Sequence, residues 1–176
     1  MREARVEEAS EIAKLIAERE HRLFEDVLQD TRREFATNAR EAGAASRFFV
    51  AEEPSTIVGF GRVCHEVADG GRPGGWYLLG VIVAPEHRRR GVGLALTLAR
   101  IEWLRQRADA VYYFANVANR VSIALHEQLG FVEVTRDFEH EKAGLKRGEG
   151  VLYRLSLDRT RVTSAPKAAS FSSSRS

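Results

Sequence analysis

An apolar run over residues 76–84, stopped by Pro85, constrains the fold of this chain more than any other feature. The run is far shorter than the roughly 20 residues that a membrane helix requires. Its length and its β-forming residues predict a strand that is buried on both faces. Apolar residues then recur at helical spacing over residues 91–107, and residues 110–115 again have the composition of a strand. This strand–helix–strand order predicts a βαβ unit whose first strand lies inside a sheet.

The elements on either side of this unit predict an α/β domain with a mixed sheet. Apolar periodicity and turn residues predict helices over residues 7–28 and 31–45, strands over residues 2–6, 47–52, 56–67, 131–138 and 151–157, and a charged loop over residues 139–150. We expect the second helix to end near Gly43, and a short helix to run from an N-cap at Asn119 to Gly130. The Ser/Ala-rich residues 158–176 predict a disordered tail after a domain of residues 1–157.

Composition narrows the class of protein further. The chain has 176 residues, of which 44% are hydrophobic and 30% charged, and this fits one globular domain. Its one cysteine, Cys64, excludes an intramolecular disulfide and a cysteine zinc site. Three acidic residues, Glu3, Glu7 and Glu8, lie among the first eight positions, where a secretory signal would carry its apolar segment, so we expect a cytoplasmic protein. The five histidines show no ligand spacing with acidic residues, so no metal is expected.

The segment between the buried strand and the following helix has the chemistry of an anion-binding site. It reads Arg88, Arg89, Arg90, Gly91, Val92 and Gly93. Exposed N–H groups and the dipole at a helix start favour a phosphate, and glycines let a phosphate approach the backbone. Arginine adds forked, charge-assisted hydrogen bonds to phosphate oxygens. The alternative is a solvated basic turn that contains two glycines.

Two common nucleotide-binding patterns do not fit this segment. The P-loop pattern of Gly, four residues and then Gly-Lys-Ser or Gly-Lys-Thr is absent from the sequence. A dinucleotide fingerprint requires Gly or Ala three residues after Gly93, where the chain has Leu96. The sequence therefore disfavours a nucleoside triphosphatase and a dehydrogenase.

The same segment resembles the signature of the GNAT superfamily of N-acetyltransferases, which is Gln or Arg, two residues, Gly, one residue, and Gly or Ala. The resemblance extends upstream through residues 79–85 and downstream through residues 119–131. It implies an α/β fold in one domain, with a mixed, splayed sheet of six or seven strands flanked by helices. It also implies an enzyme that transfers the acetyl group of acetyl-CoA directly to a primary amine of a small molecule or a protein.

The resemblance implies a set of cofactor-binding residues. The helix start would hold the pyrophosphate, the strand backbone before it would pair with the pantetheine arm, and an asparagine would contact that arm. Carried over to this chain, these residues are Arg88, Arg89, Arg90, Gly91, Val92 and Gly93 for the pyrophosphate, Val81, Ile82 and Val83 for the strand, and Asn119 for the asparagine. A simple N-cap is the alternative role for Asn119.

Catalytic groups are less clearly marked. His126 stands where the family commonly has a tyrosine that protonates the departing CoA thiolate, and imidazolium can donate a proton near neutral pH. The alternative is a packed structural histidine. Some family members carry a glutamate on the strand before the phosphate loop, and here that strand has no acid. Glu66 or His65, at the end of the preceding strand, could act as the base, or could be plain strand-end residues.

Other functions remain as rivals to acetyl transfer. A domain that binds acyl-CoA as a sensor or interaction module, without catalysis, would also carry this signature. Nucleic-acid binding through the three arginines is disfavoured because the formal net charge is only +2. A homodimer fits the resemblance because dimers are frequent in that family.

Overall fold

The computed structural model describes residues 1–40 and 46–158, which form a seven-stranded sheet and four α-helices. The strands are β1 (Arg2–Glu3), β2 (Ser46–Glu53), β3 (Thr56–Glu66), β4 (Gly75–Val83), β5 (Ala110–Asn116), β6 (Val132–His140) and β7 (Leu145–Ser156). The helices are α1 (Ala9–Glu20), α2 (Phe24–Arg40), α3 (Val92–Arg105) and α4 (Arg120–Gln128).

The sheet is mixed, as the sequence predicts. Its strand order is β1-β2-β3-β4-β5-β7-β6, and β4–β5 is the parallel pair among otherwise antiparallel neighbours. The parallel pairing joins only Trp76, Tyr77 and Leu78 to β5. Beyond Leu78 the two strands separate, although β4 continues to Val83. This splay opens a cleft in the middle of the sheet.

Helices cover both faces of the sheet. Phe48 and Phe49 are neighbours on β2, and because strand side chains alternate between faces they belong to two different apolar clusters. Phe48 packs with Ile12 of α1, whereas Phe49 packs in the cluster that contains Leu96 of α3. The sheet therefore holds α1 and α2 on one face and α3 and α4 on the other.

The predicted single helix over residues 7–28 is wrong. The chain ends α1 at His21, which has a left-handed backbone with φ of 54°, and restarts as α2 at Phe24 rather than at residue 31. The turn lets α2 fold back so that Val27 and Leu28 pack against the alanine face of α1, which includes Ala13 and Ala17. The predicted end near Gly43 lies outside the described residues.

The first predicted strand, over residues 2–6, is also shorter than expected. Only Arg2 and Glu3 pair with β2, because Val6–Glu8 forms a 3₁₀ turn. The Glu8 carboxylate accepts hydrogen bonds from the Arg5 backbone N–H at 2.7 Å and from the Arg2 guanidinium. The Ala4 N–H still donates to the Phe48 carbonyl of β2 at 2.8 Å, and the bonds to Glu8 then turn the chain away from the sheet.

The predicted loop over residues 139–150 is wrong as well, because most of it is β-structure. The strands β6 and β7 continue until only a 3₁₀ turn (Glu141–Ala143) and Gly144 separate them. Phe138 and Leu145 are buried together against Tyr77, which explains why this charged segment stays in the sheet. The predicted tail, residues 158–176, lies outside the described residues except for Asp158.

Candidate active site

The cleft opened by the splay of β4 and β5 has two connecting lobes. The lobe beside the start of α3, called here the α3 lobe, has a volume of about 950 Å³, and the lobe toward the end of β3, called the β3 lobe, has about 820 Å³. Six residues line both lobes and mark their junction: Arg19, Val81, Ile82, Asn119, Ser122 and His126. A molecule in one lobe can therefore meet a molecule in the other between β4 and α4.

The α3 lobe brings together most residues that the sequence assigns to a cofactor. Nine of the ten line it: Val81, Ile82, Val83, Arg88, Arg89, Gly91, Val92, Gly93 and Asn119. The tenth, Arg90, is exposed and is not among the residues that line either lobe. The sequence pattern thus marks one wall of a real cavity.

The start of α3 has the geometry of an anion site. Arg89 and Gly91 both have left-handed backbones, with φ of 61° and 81°, and the helix has no side-chain cap at Gly91. The first N–H groups of α3 therefore have neither an intrahelical partner nor a side-chain partner. Arg88 donates from Nε to the Val83 carbonyl at 2.9 Å, which fixes the arginine at the end of β4 and leaves its terminal nitrogens available to an anion.

The structure is compatible with both predicted roles of Asn119, as a helix cap and as a cofactor contact. Its Oδ1 accepts from the Ser122 N–H at 3.4 Å and so caps α4. That bond uses only the amide oxygen, and the amide nitrogen carries two further donors. Asn119 lines both lobes, so it can cap the helix and still bind a ligand in the cleft.

A bulge in β4 shapes the floor of the cleft. The register with β3 shifts between Gly61 and Arg62, so that Gly80, with φ of 41°, has no strand partner. The buried Arg100 of α3 donates to the carbonyls of Leu79 at 3.1 Å and Arg62 at 3.0 Å, on both sides of this bulge. Burial lowers the pKa of Arg100 to about 9, which leaves the guanidinium charged at neutral pH. Nothing in the sequence marks Arg100 as a site residue, because it lies inside an ordinary helical pattern.

Glu66 lines the β3 lobe, as its predicted role as a base requires. Its carboxylate is held by Arg72, whose Nη1 lies 2.9 Å from Oε2, and the same Nη1 lies 3.1 Å from Nε2 of His140. His140 is buried, stacks on Phe114 and also lines the lobe. No motif links these residues, so only the folded chain identifies Arg72 and His140. His65, the other predicted base, packs edge-on against Trp76 and lines neither lobe.

His126 lies at the junction but is deeply packed. Its Nδ1 is 2.8 Å from the Ser122 carbonyl oxygen, which can only accept, so Nδ1 carries the proton in the neutral ring. Its Nε2 is buried without a hydrogen-bond partner among the described residues. Burial lowers the pKa of His126 to about 4. This environment disfavours the imidazolium ion on which the predicted proton donation depends.

A second pair of groups lies beside His126. The Tyr113 hydroxyl donates to Ser122 Oγ at 2.6 Å. Burial raises the pKa of Tyr113 to about 12, so its hydroxyl stays protonated at neutral pH. Tyr113 lines the β3 lobe and Ser122 lines both lobes. No sequence pattern marks Tyr113 or Ser122 as a site residue.

Comparison with known proteins agrees with this geometry. Residues 10–131 match the family model described as the acetyltransferase (GNAT) family. The chain belongs to this GNAT family. The family match includes the six residues at the junction of the lobes, the start of α3 and the whole of α4.

Curated relatives also match part of the chain. It is 40% identical over 99 residues to a mycothiol acetyltransferase of Thermobispora bispora, covering 54% of this chain and 33% of that protein. It is 32% identical over 114 residues to the mycothiol acetyltransferase of Acidothermus cellulolyticus, covering 58% of this chain and 35% of that protein. This GNAT chain therefore spans about a third of the length of these relatives.

Solved structures share the GNAT fold across most of the chain. A ribosomal-protein-alanine N-acetyltransferase from Brucella melitensis has a TM-score of 0.67 at 22% identity, covering 89% of this chain and 98% of that one. A putative GNAT acetyltransferase from Desulfovibrio desulfuricans has a TM-score of 0.66 at 19% identity, covering 89% and 97%. These likenesses confirm the predicted splayed GNAT sheet.

Metal ligands and membrane-spanning helices are two further features that bear on the class of protein. In the part of the chain that the structure describes, no group of three or more His, Cys, Asp or Glu side chains is arranged to hold a metal ion. No helix within residues 1–40 and 46–158 has both the length and the apolar character needed to cross a membrane.

Proposed function

We propose that this GNAT protein transfers the acetyl group of acetyl-CoA directly to a primary amine of a small molecule or a protein. The observation that carries the proposal is the junction of the two lobes. One lobe has an uncapped helix start suited to a pyrophosphate, the other has a carboxylate suited to an amine, and they meet at Val81, Ile82 and Ser122. A donor and an acceptor bound in this way would be in contact where the acetyl group must move.

The α3 lobe fits acetyl-CoA. The N–H groups of Val92 and Gly93 and the terminal nitrogens of Arg88 would bind the pyrophosphate oxygens. On the edge that faces the cleft, the segment of β4 from Val81 to Val83 has no strand partner in the described residues. Its free backbone groups would bind the pantetheine amides and polarise the acetyl carbonyl.

The β3 lobe fits the amine acceptor. An ammonium group must lose a proton before it can attack a thioester, so the site requires a base. Glu66 is the carboxylate that lines this lobe near the end of β3, and Arg72 holds it at 2.9 Å. We assign Glu66 as the base, acting directly or through water, and His140 as the side chain that packs beside it.

The competing function is binding of acyl-CoA without transfer, as in a sensor or interaction module. The two functions differ in the chemistry that occurs after acetyl-CoA has bound. Transfer predicts thiol release from acetyl-CoA that depends on an added amine, together with an N-acetylated product. Binding alone predicts heat of binding without amine-dependent thiol release.

In the test, the purified chain is incubated with acetyl-CoA and one of three amines: benzylamine, spermidine or a peptide with an N-terminal alanine. Released thiol is followed with a chromogenic thiol reagent, and products are identified by mass spectrometry. We expect amine-dependent release with at least one acceptor, and a loss of about 100-fold in kcat for Glu66→Gln. The matched control is Glu133→Gln, which changes a strand glutamate that lines neither lobe. Binding of acetyl-CoA without release from any acceptor would favour the sensor function.

A further inference from the structure

The proposed acetyl transfer requires a group that protonates the departing CoA sulfur, and this inference rests on that proposed function. When the thioester C–S bond breaks, the sulfur keeps the electron pair and must gain a proton. His126 is poorly placed to supply it. Its protonated Nδ1 is committed to the Ser122 carbonyl at 2.8 Å, and its Nε2 is buried. A ring held in this way would have to move before it could exchange a proton with a group in the cleft.

The Tyr113–Ser122 hydroxyl pair is placed differently. The two oxygens are 2.6 Å apart, and because Tyr113 donates, the Ser122 hydroxyl hydrogen remains available for another acceptor. Among the described residues, no other side-chain hydrogen bond of Ser122 is present to use that hydrogen. Ser122 of α4 lines both lobes, as do Val81 and Ile82 of β4.

We propose that Ser122 donates the proton to the departing CoA thiolate and that Tyr113 resupplies Ser122. In this step the Ser122 Oγ–H bond breaks as the new S–H bond forms. The Tyr113 hydroxyl proton passes to Ser122 Oγ along the 2.6 Å hydrogen bond. The resulting phenolate regains its proton from water in the cleft, so the pair returns to its starting state.

His126 contacts both members of this pair and is therefore a positioning residue. Its ring lies on the Tyr113 ring at a centroid distance of 3.4 Å, and its Nδ1 binds the Ser122 carbonyl. Phe131 packs edge-on against the same two rings at 6.2 Å from Tyr113 and 5.1 Å from His126. These contacts fix the Tyr113 hydroxyl at the start of α4.

The first experiment compares Tyr113→Phe and Ser122→Ala with wild type in amine-dependent thiol release. Each substitution removes one hydroxyl and keeps the surrounding packing. We expect kcat to fall about 100-fold in each variant, as is typical for loss of a proton donor, with an unchanged Kd for acetyl-CoA by isothermal titration. The double variant should be no slower than the worse single variant, because the two hydroxyls act as a unit.

The matched control is Tyr112→Phe. Tyr112 is the neighbouring tyrosine on β5, stacks on Tyr77 at 5.2 Å, and lines neither lobe. Its loss should leave kcat within about twofold of wild type. Thermal unfolding of every variant identifies any that fails to fold.

The second experiment needs no acceptor. Free CoA is bound to the protein and its thiol is titrated by the ultraviolet absorbance of the thiolate. A hydroxyl that hydrogen-bonds to the sulfur stabilises the thiolate, so both Tyr113→Phe and Ser122→Ala should make the bound thiol about tenfold less acidic. A purely structural role for the pair would not change this titration in variants that bind CoA normally.

Two results would overturn the inference while leaving the proposed function intact. The first is that Tyr113→Phe and Ser122→Ala both keep the kcat of wild type and leave the titration of the bound CoA thiol unchanged. The other is a loss of kcat confined to a His126→Gln variant. A wild-type protein that binds acetyl-CoA but releases no thiol would instead overturn the proposed function, and this inference with it.

Discussion

The imidazole of His126 lies flat on the phenol ring of Tyr113, with centroids 3.4 Å apart and planes 3° from parallel. The stack buries the imidazole so that only 2% of His126 is exposed. Because a charged imidazole loses its hydration there, burial lowers the pKa of His126 from 6.5 to about 4. The packing of one pair of rings thus decides the charge of the residue that a family comparison would assign as the acid.

This packing predicts a specific acid sensitivity. The unfolded chain takes up a proton at His126 below pH 6.5, whereas the folded chain does so only near pH 4. The stabilisation is therefore complete above pH 6.5 and is lost as the pH falls toward 4. Between pH 7.5 and 4.5 we expect His126 to account for about 2–3 kcal/mol of lost unfolding free energy.

The measurement is urea unfolding of wild type and His126→Phe at both pH values. The phenylalanine keeps a ring on Tyr113 but cannot titrate. The pH-dependent loss should be smaller in the variant by about 2–3 kcal/mol, while the other acid-sensitive groups cancel in the comparison. Equal losses in the two proteins would contradict a buried, neutral His126.

Sequence reasoning succeeded where the structure is local and failed where distant residues meet. The strand, turn and helix around Gly91 follow one another in the chain, so their pattern predicts both the βαβ unit and the wall of the α3 lobe. The break at His21 has no glycine or proline to mark it, because it is set by packing of α2 on the alanines of α1. Arg72 and His140 are 68 residues apart and form no motif.

Charge and exposure of single side chains were also beyond sequence reasoning. Helical spacing places His126 at the edge of an apolar stripe, but it does not reveal that Tyr113 of β5 lies on the ring. The sequence leaves cofactor binding and helix capping as alternative roles for Asn119, and only the structure shows that the capping side chain also lines both lobes.

The two glycines at the start of α3 should respond oppositely to alanine. Gly91 has φ of 81°, a conformation that costs an L-residue about 1–2 kcal/mol, so Gly91→Ala should destabilise the protein although its Cβ meets nothing within 4 Å. Gly93 lies in the helix, and its added Cβ would be 3.6 Å from Val81 Cγ1, an ordinary contact. Gly93→Ala should therefore stabilise by about 0.5–1 kcal/mol.

Urea unfolding of both alanine variants tests this pair. Each variant serves as the control for the other, because they add the same methyl group two residues apart. Stabilisation by Gly91→Ala would contradict the left-handed backbone at Gly91, and destabilisation by Gly93→Ala would contradict the room for a methyl group at Gly93.

Replacing Arg100 by lysine should destabilise the protein even though lysine keeps the charge. The guanidinium makes four hydrogen bonds, to the carbonyls of Leu96, Arg62 and Leu79 and to Thr97 Oγ1. A lysine ammonium cannot reach all of these, and each buried carbonyl left unpaired costs about 1–3 kcal/mol. We expect Arg100→Lys to lose about 2–4 kcal/mol of unfolding free energy.

Chemical denaturation of Arg100→Lys measures this loss. The exposed Arg105 of the same helix provides the control, because Arg105→Lys changes only a surface pair with Glu102 and should shift stability by less than about 0.5 kcal/mol. Similar small effects at both positions would show that Arg100 does not hold the bulge at Gly80.

Isothermal titration of the purified protein with acetyl-CoA tests the central claim, that the start of α3 binds the cofactor. The matched variants are Gly91→Asp, at the helix start, and Gly70→Asp, which adds the same charge at another left-handed glycine with no atom within 4 Å of its Cβ and outside both lobes. We predict micromolar binding by wild type and Gly70→Asp, and binding at least about tenfold weaker in Gly91→Asp because its carboxylate repels the pyrophosphate. Equal affinity in all three proteins, or no binding by folded wild type, would contradict cofactor binding at the start of α3.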